Sequence, residues 1–312
     1  MITRNNVEVA ARRIAGHVRR TPVAEVESGA FAPAGAVVLK LEFMQHTGSF
    51  KARGAFNRIL LAAEAGQLPA QGVISASGGN AGLAVAYAAT TLGVPAQVYV
   101  PTTAPPVKVD KLRRLGATVV CHGGEYAEAY DAATRRAADT GALFCHAYDQ
   151  PQICAGQGTV ALELAEQVAE LDTVVLAVGG GGLMAGVAAA LEGQATVVAA
   201  EPRTCPTLHA ALVAGGPVDI EVSGIAADSL GARRVGSIAY DVAVRSGVRS
   251  LLVTDEDLIT ARRLLWDHHR LVVEHGTAAA LAALTSGVYR PAAAERIAIL
   301  LCGANTHPAD LT

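Results

Sequence analysis

At 312 residues, with 51% hydrophobic and 17% charged positions, the chain has apolar material for two modest α/β domains around one cleft, or for one large domain. A formal net charge of −3 gives no reason to expect a nucleic-acid partner, which needs clustered positive charge, and no apolar run of membrane-spanning length occurs. Five cysteines, odd in number and widely spaced, form no C-x-x-C pair or disulfide framework, and the N-terminal segment lacks the apolar core of a secretion signal. Both point to a reducing, cytoplasmic setting. Lysine is scarce: Lys40, Lys51, Lys108 and Lys111 are the only four, which leaves few candidates for chemistry needing a primary amine.

In chain order, a buried strand is predicted over residues 73–77, then a helix over 81–92, a strand over 97–100, a helix over 107–115 and a strand over 118–121. This alternation is the pattern of parallel strands covered by helices. Composition makes 123–170 mostly helical. A second set follows, with strands predicted over 173–178, 196–200 and 297–302 and a helix after the glycines at 179–182. Residues 258–275 read as one helix with Trp266 on its buried side. Two sets of strands predict two lobes, and such sheets bind ligands beyond the carboxyl ends of their strands.

Four segments carry residue types suited to chemistry. Residues 46–54, H-T-G-S-F-K-A-R-G, set Lys51 beside Phe50 at the predicted start of a helix. Such a lysine can have its pKa lowered and act as nucleophile and base, although alone it reads as a solvated surface residue. Ser77, Gly78, Gly79, Asn80 and Ala81 join a predicted strand to a helix. Their N–H groups and the Ser77 hydroxyl suit a carboxylate, and Asn80 suits a ring hydroxyl or carbonyl; a plain helix cap explains the same residues. Gly179, Gly180, Gly181 and Gly182 occupy a second strand-to-helix junction, where glycines turn N–H groups inward and the helix terminus adds positive potential. No lysine follows in the G-x-x-x-x-G-K-[ST] spacing, and Met184 interrupts a G-x-G-x-x-G fingerprint, so the loop suits a single phosphate. Cys302, closing the last predicted strand, reads alone as a small buried hydrophobe.

The strings TGSFKARGAFN (47–57), SGGN (77–80), AGQGTVALEL (155–164), VGGGGLMAG (178–186) and LCGAN (301–305) occur in one order. Together they resemble the fold type II pyridoxal-phosphate enzymes, specifically the serine/threonine dehydratases (threonine ammonia-lyases) and serine racemase, over about residues 20–308. The resemblance implies a tryptophan-synthase-β-like α/β fold of two doubly wound open-sheet domains, with pyridoxal 5'-phosphate in the cleft between them. A discontinuous large domain would take residues 1–71 and 147–312, and a small domain 72–146. It implies a Schiff base on Lys51, with Phe50 flanking the cofactor ring. Phosphate contacts would come from the amides of Gly179, Gly180, Gly181, Gly182, Leu183 and Met184, Asn80 would meet the ring hydroxyl, and Cys302 the pyridine nitrogen. The loop of Ser77, Gly78, Gly79, Asn80 and Ala81 would clasp the substrate carboxylate. Lys51, displaced by the substrate amine, would then remove the Cα proton. The implied activity is β-elimination on L-threonine, L-serine or a related small β-hydroxy amino acid, giving a 2-oxo acid and ammonia, in a homodimer.

Some positions depart from the family. Gly78 stands where racemases carry a second hydroxyl, so racemisation is expected to be poor. Ala81 replaces a common histidine and reshapes the carboxylate end of the pocket, and Ser229 replaces the glycine of an I-A-D-G turn. Glu201-Pro202 matches the start of a cation site, but Thr207 stands where its acidic partner is expected; no metal is assigned. Glu274 falls where the family has a Glu-Pro near the cofactor. Only ten residues follow Cys302, so no appended regulatory domain is expected. The alternatives are dehydration of a bulkier hydroxy amino acid or 3-hydroxyaspartate, β-replacement, and cofactor binding without turnover.

Overall fold

The computed structural model describes residues 1–311. The chain opens with α1 (Arg4–Ile14), β1 (Val23–Glu25), β2 (Ala36–Lys40) and α2 (Lys51–Glu64). It continues through β3 (Val73–Ala76), α3 (Asn80–Thr91), β4 (Ala96–Val100), α4 (Pro106–Arg114), β5 (Thr118–Cys121), α5 (Tyr126–Thr140) and β6 (Leu143–Phe144). Next come α6 (Pro151–Gln167), β7 (Thr173–Ala177), α7 (Gly182–Ala190), β8 (Thr196–Pro202) and α8 (Thr207–Ala214). The last elements are α9 (Ser237–Ser246), β9 (Arg249–Val253), α10 (Asp255–His269), α11 (His275–Thr285) and β10 (Arg296–Leu300). No helix among the described residues is long and apolar enough to cross a membrane.

A six-stranded sheet runs β1-β2-β10-β7-β8-β9, and a four-stranded sheet runs β5-β4-β3-β6. Every pairing is parallel except β1 with β2. The apolar runs of β7 and β10 are buried along nearly their whole length, as strands covered by helices on both faces must be. β10, from the far end of the chain, inserts between β2 and β7.

Several predicted elements are displaced. β1, β2 and β9 escape the sequence reading, since β1 has three residues and β9 is a half-buried edge. The helix expected over 258–275 is two helices: α10 stops at His269, Arg270 takes a left-handed φ of 55°, and α11 starts at His275. The apolar spacing runs on through Leu271 and Val273, which hides the break. Trp266 is half-buried, with the Arg270 guanidinium 5.4 Å from its ring, so it does not lie on the buried side. The stretch 123–170 is interrupted by β6 and by the loop 145–150, which becomes part of the site.

α2 holds the two lobes together. Its Ala52, Ala55, Phe56 and Ile59 pack into the same core as Val73 of β3 and Leu83 of α3. Its other side crosses α6 at van der Waals contact: a Cβ on Gly156 would lie 2.6 Å from the Arg53 carbonyl oxygen. The division near residue 72 is therefore one of sheets more than of cores. At this crossing sits a buried charge network. Arg53 donates to Glu42 from Nε (2.6 Å) and to Glu163 from Nη2 (2.8 Å), and Lys40 Nζ donates to Glu163 at 2.7 Å. Thr21 adds its N–H to Glu163 (2.6 Å) and its hydroxyl to Glu42 (2.7 Å). Buried charges persist only when paired and hydrogen-bonded in this way.

Glu163→Leu removes the only carboxylate within ion-pairing distance of Lys40 among the described residues. We expect it to cost about 3–5 kcal/mol in urea unfolding, whereas breaking the exposed Arg20–Glu166 pair by Arg20→Ala should cost less than about 1 kcal/mol.

Candidate active site

Lys51 opens α2 directly above the carboxyl end of β10. The Phe50 N–H donates to the Cys302 carbonyl (3.1 Å), the Ala304 N–H to the Gly48 carbonyl (3.0 Å), and Ser49 and Gly303 form an antiparallel bridge. Lys51 Nζ donates to the Ala147 carbonyl at 2.7 Å and lies 4.9 Å from the centre of the Phe50 ring. Burial lowers its pKa from 10.5 to about 8, against weaker opposing effects of Cys302, Cys154 and Glu274. The surface reading of this lysine is thereby set aside.

Cys302 ends the same strand and is buried, its Sγ 3.3 Å from Thr277 Oγ1. Burial pushes its thiol up to about 12, so it stays protonated and uncharged. Asn80, the first residue of α3, donates from Nδ2 to both oxygens of Glu274 (2.9 and 3.1 Å) and accepts from Asn305 Nδ2 at 2.6 Å. The Asn305 N–H reaches Glu274 Oε1 at 2.9 Å, and its amide reaches the Thr47 carbonyl at 2.7 Å. Burial raises the Glu274 pKa, and the hydrogen bonds from Asn80 and Asn305 only partly oppose it. Asn80, Glu274 and Asn305 thus pin three distant chain segments around Lys51.

The Ser77 loop follows β3. The Ser77 Oγ accepts from the Gly79 N–H at 3.2 Å, and Ala81 is buried in the first turn of α3. At Gly78 a Cβ would meet only Val100 Cγ1, at 3.6 Å, so glycine there is not a steric necessity.

The glycine loop joins β7 to α7. Gly181 has φ 84°, and Leu183 and Met184 lie in the first turn of α7, whose leading N–H groups have no acceptor within the helix. The ring of Tyr148 occupies the space over Gly180, where a Cβ would fall 2.2 Å from its Cγ. Thr207 Oγ1 donates to the Gly179 carbonyl at 2.5 Å, which sets that end of the loop. Glu201, the residue compared above with a cation ligand, caps α8 by accepting from the N–H groups of Leu208 (2.8 Å) and His209 (2.9 Å). Ser229 of the departing turn accepts from the Gly276 N–H at 3.2 Å and so braces the start of α11.

Two side chains that the sequence left without a role also face this site. A small cavity beside Lys51 is lined by His146, Gln157, Ala55 and Ala81. Gln157 is 1% exposed, and neither polar atom of its amide has a hydrogen-bond partner in the protein. His146 Nδ1 accepts from the N–H groups of Tyr148 (3.1 Å) and Asp149 (2.8 Å), so the ring's proton sits on Nε2. Burial lowers its pKa to about 4, which keeps it neutral. For Gln157 the signal was its place between the glycines of AGQGT; His146 had none, because its loop reads as helix.

Comparison with known proteins adds a separate line. The family model described as "Pyridoxal-phosphate dependent enzyme" matches residues 14–303. The chain is 39% identical over 301 residues to a phenylserine dehydratase of Ralstonia pickettii, covering 95% of this chain and 91% of that protein. It is 33% identical to an L-threonine ammonia-lyase of Thermotoga maritima, covering 98% of this chain and 76% of the relative. Among solved structures, maize serine racemase superposes with a TM-score of 0.91 at 30% identity, covering 98% of this chain and 94% of that one.

Two outcomes follow from the geometry. The Lys51 amine should react with an aromatic aldehyde at a rate that rises with pH and levels above about 8, where the neutral form dominates, and not near the ordinary 10.5; stopped-flow absorbance checks this. Gly180→Ala should displace Tyr148 and weaken phosphate binding at least about tenfold in a 31P titration, since its methyl has no free space.

Proposed function

Because the chain belongs to the pyridoxal-phosphate dependent enzymes, we propose that it dehydrates L-threonine, L-serine or a related β-hydroxy amino acid to a 2-oxo acid and ammonia. The cofactor is pyridoxal phosphate, and the residues fit it. A half-buried amine of lowered pKa, a strand-to-helix loop that side chains would obstruct, a neutral thiol and a buried amide without a protein partner lie together. In this reading Lys51 carries the cofactor, Phe50 flanks it, the amides of Gly179 to Met184 hold its phosphate, Asn80 faces its ring hydroxyl and Cys302 its ring nitrogen.

When bound, the cofactor supplies an aldehyde and a conjugated ring that takes up electron density from the substrate Cα. The protein supplies the rest. Lys51 Nζ is a base with a pKa near working pH, where an amine both accepts and returns a proton efficiently. Cys302 offers a protonated thiol and no carboxylate, so nothing at that position holds a proton on a pyridine nitrogen. That weakens charge storage and favours prompt loss of a β-hydroxyl over slower exchange chemistry. The Ser77 loop orients the substrate carboxylate with its hydroxyl and N–H groups. Gly78 carries no acid or base for the opposite face of Cα, which supports elimination over racemisation.

The carrying observation is the half-buried Lys51, whose pKa desolvation lowers to about 8, beside an uncharged Cys302. The relatives named for threonine and for phenylserine share one chemistry, a β-hydroxyl next to Cα, and this supports the same class here.

With L-serine and L-threonine in a coupled assay, ammonia and 2-oxo acid should appear in equal amounts, and Lys51→Ala should lower kcat at least about 10³-fold and abolish the visible absorption of the holoenzyme. A protein that takes up no pyridoxal phosphate, or yields no ammonia from any hydroxy amino acid, overturns the reading. Gly78→Ser should fold normally and raise the ratio of D-serine formed to 2-oxo acid formed, measured by chiral chromatography.

A further inference from the structure

We propose that Tyr126, Tyr130, His146 and Tyr148 form the subsite for the substrate's β-substituent, and that this subsite is built for an aromatic ring. The substrate class is then the β-aryl β-hydroxy amino acids, an inference that rests on the β-elimination reading above.

The four rings run in contact across the cleft. Tyr126 and Tyr130 have centroids 6.1 Å apart, Tyr130 and His146 5.7 Å, and His146 and Tyr148 4.6 Å, the last two pairs meeting edge to face. The row begins beside the Ser77 loop, where Tyr126 Oη donates to the Ala76 carbonyl at 3.3 Å. It ends on the glycine loop, where the Tyr148 ring covers Gly180 and its Oη donates to the Arg234 carbonyl at 3.2 Å. His146, in the middle, lines the cavity beside Lys51. A group on Cβ lies two bonds beyond the Cα that Lys51 deprotonates, within reach of the His146 end of this row.

The chemistry of the row is set by where its polar atoms go. The Tyr126 and Tyr148 hydroxyls are engaged by backbone carbonyls and His146 Nδ1 by two backbone amides, which leaves mostly ring carbon in the row, with the Tyr130 hydroxyl and the His146 Nε2–H as its polar points. Such faces and edges recognise another ring. The charges around the row are of both signs: the carboxylates of Asp149, held by the Ser237 and Ile238 N–H groups at 3.1 Å, of Asp131 beside Tyr130 and of Asp219, and the cationic Arg234 beside Tyr148 and Lys51 beside His146. Ala55 and Ala81 add no bulk next to Lys51. Tyr126 is 51% exposed at the cleft mouth, and the side chain of serine or threonine is too short to cover it.

The reaction balances without an added oxidant. The Cα–H bond breaks with its proton going to Lys51, its electron pair forms the Cα–Cβ double bond as the Cβ–O bond breaks and the oxygen leaves as water after gaining a proton, and the enamine so formed takes up a proton on Cβ to become the imino acid. Hydrolysis of the resulting imino acid then releases ammonia and the aryl 2-oxo acid.

The test assays the holoenzyme for ammonia and 2-oxo acid with L-threo-3-phenylserine, L-threonine and L-serine. We expect kcat/KM for phenylserine to exceed the other two at least about tenfold. Tyr126→Leu and Tyr130→Leu should each lower the phenylserine-to-serine ratio of kcat/KM about three- to tenfold, the size of one lost ring contact, with visible cofactor absorption retained as the check on folding. L-Phenylalanine, which has no leaving group, should inhibit at lower concentration than L-alanine. Preference for serine or threonine, equal inhibition by the two amino acids, or a ratio unmoved in the exposed Tyr126→Leu variant overturns the aryl subsite and leaves elimination standing. No ammonia from any of the three substrates overturns the elimination reading and the subsite with it.

Discussion

The geometry of the site depends on a cluster of charges that never touches it. Arg53, two residues after Lys51, is clamped between Glu42 and Glu163, and Glu163 in turn holds Lys40 at the end of β2. The clamp fixes α2 against α6 and against the strand that leads toward it. Helix α2 cannot slide or rotate without stripping a buried guanidinium of its partners, which is why the Lys51 amine has a defined origin. The glycine contacts between α2 and α6 make this possible, since any side chain there would hold the helices too far apart for the ion pairs to close.

Around that fixed amine the structure gathers groups that are polar but uncharged. Cys302 keeps its proton and His146 is neutral. In a medium of low polarity each fixed charge would act strongly and at long range. The chemistry there falls to the cofactor and to one amine of lowered proton affinity.

Most of this architecture is legible in the sequence because the glycine-rich junctions and the lysine segment have few uses other than this one. Lys51, Asn80, the glycine loop and Cys302, singled out in the sequence, stand close together in the structure. What stayed hidden has physical reasons. Lys40 reads as one more surface lysine, since nothing local shows that Glu163, 123 positions away, will meet it. Loop 145–150 reads as helix because its neighbours do, so His146 and Tyr148 were missed or left peripheral. The break between α10 and α11 is masked by leucine and valine that keep the apolar period running, yet that break is what delivers Glu274 to Asn80.

The pairing of Phe50 with Cys302 and of Gly48 with Ala304 joins parts of the chain some 250 positions apart, and β10 must slot between two strands made long before it. During synthesis β2 and β7 therefore emerge with a vacant place between them, and the lysine helix has no floor to stand on. Local helices and the small sheet can form early, but the large sheet must wait for its final strand. Cofactor capture is consequently a late event in the life of each molecule. A chain released before β10 would carry the reactive lysine in a context that neither lowers its proton affinity nor holds a phosphate, so the topology itself keeps incomplete molecules chemically silent.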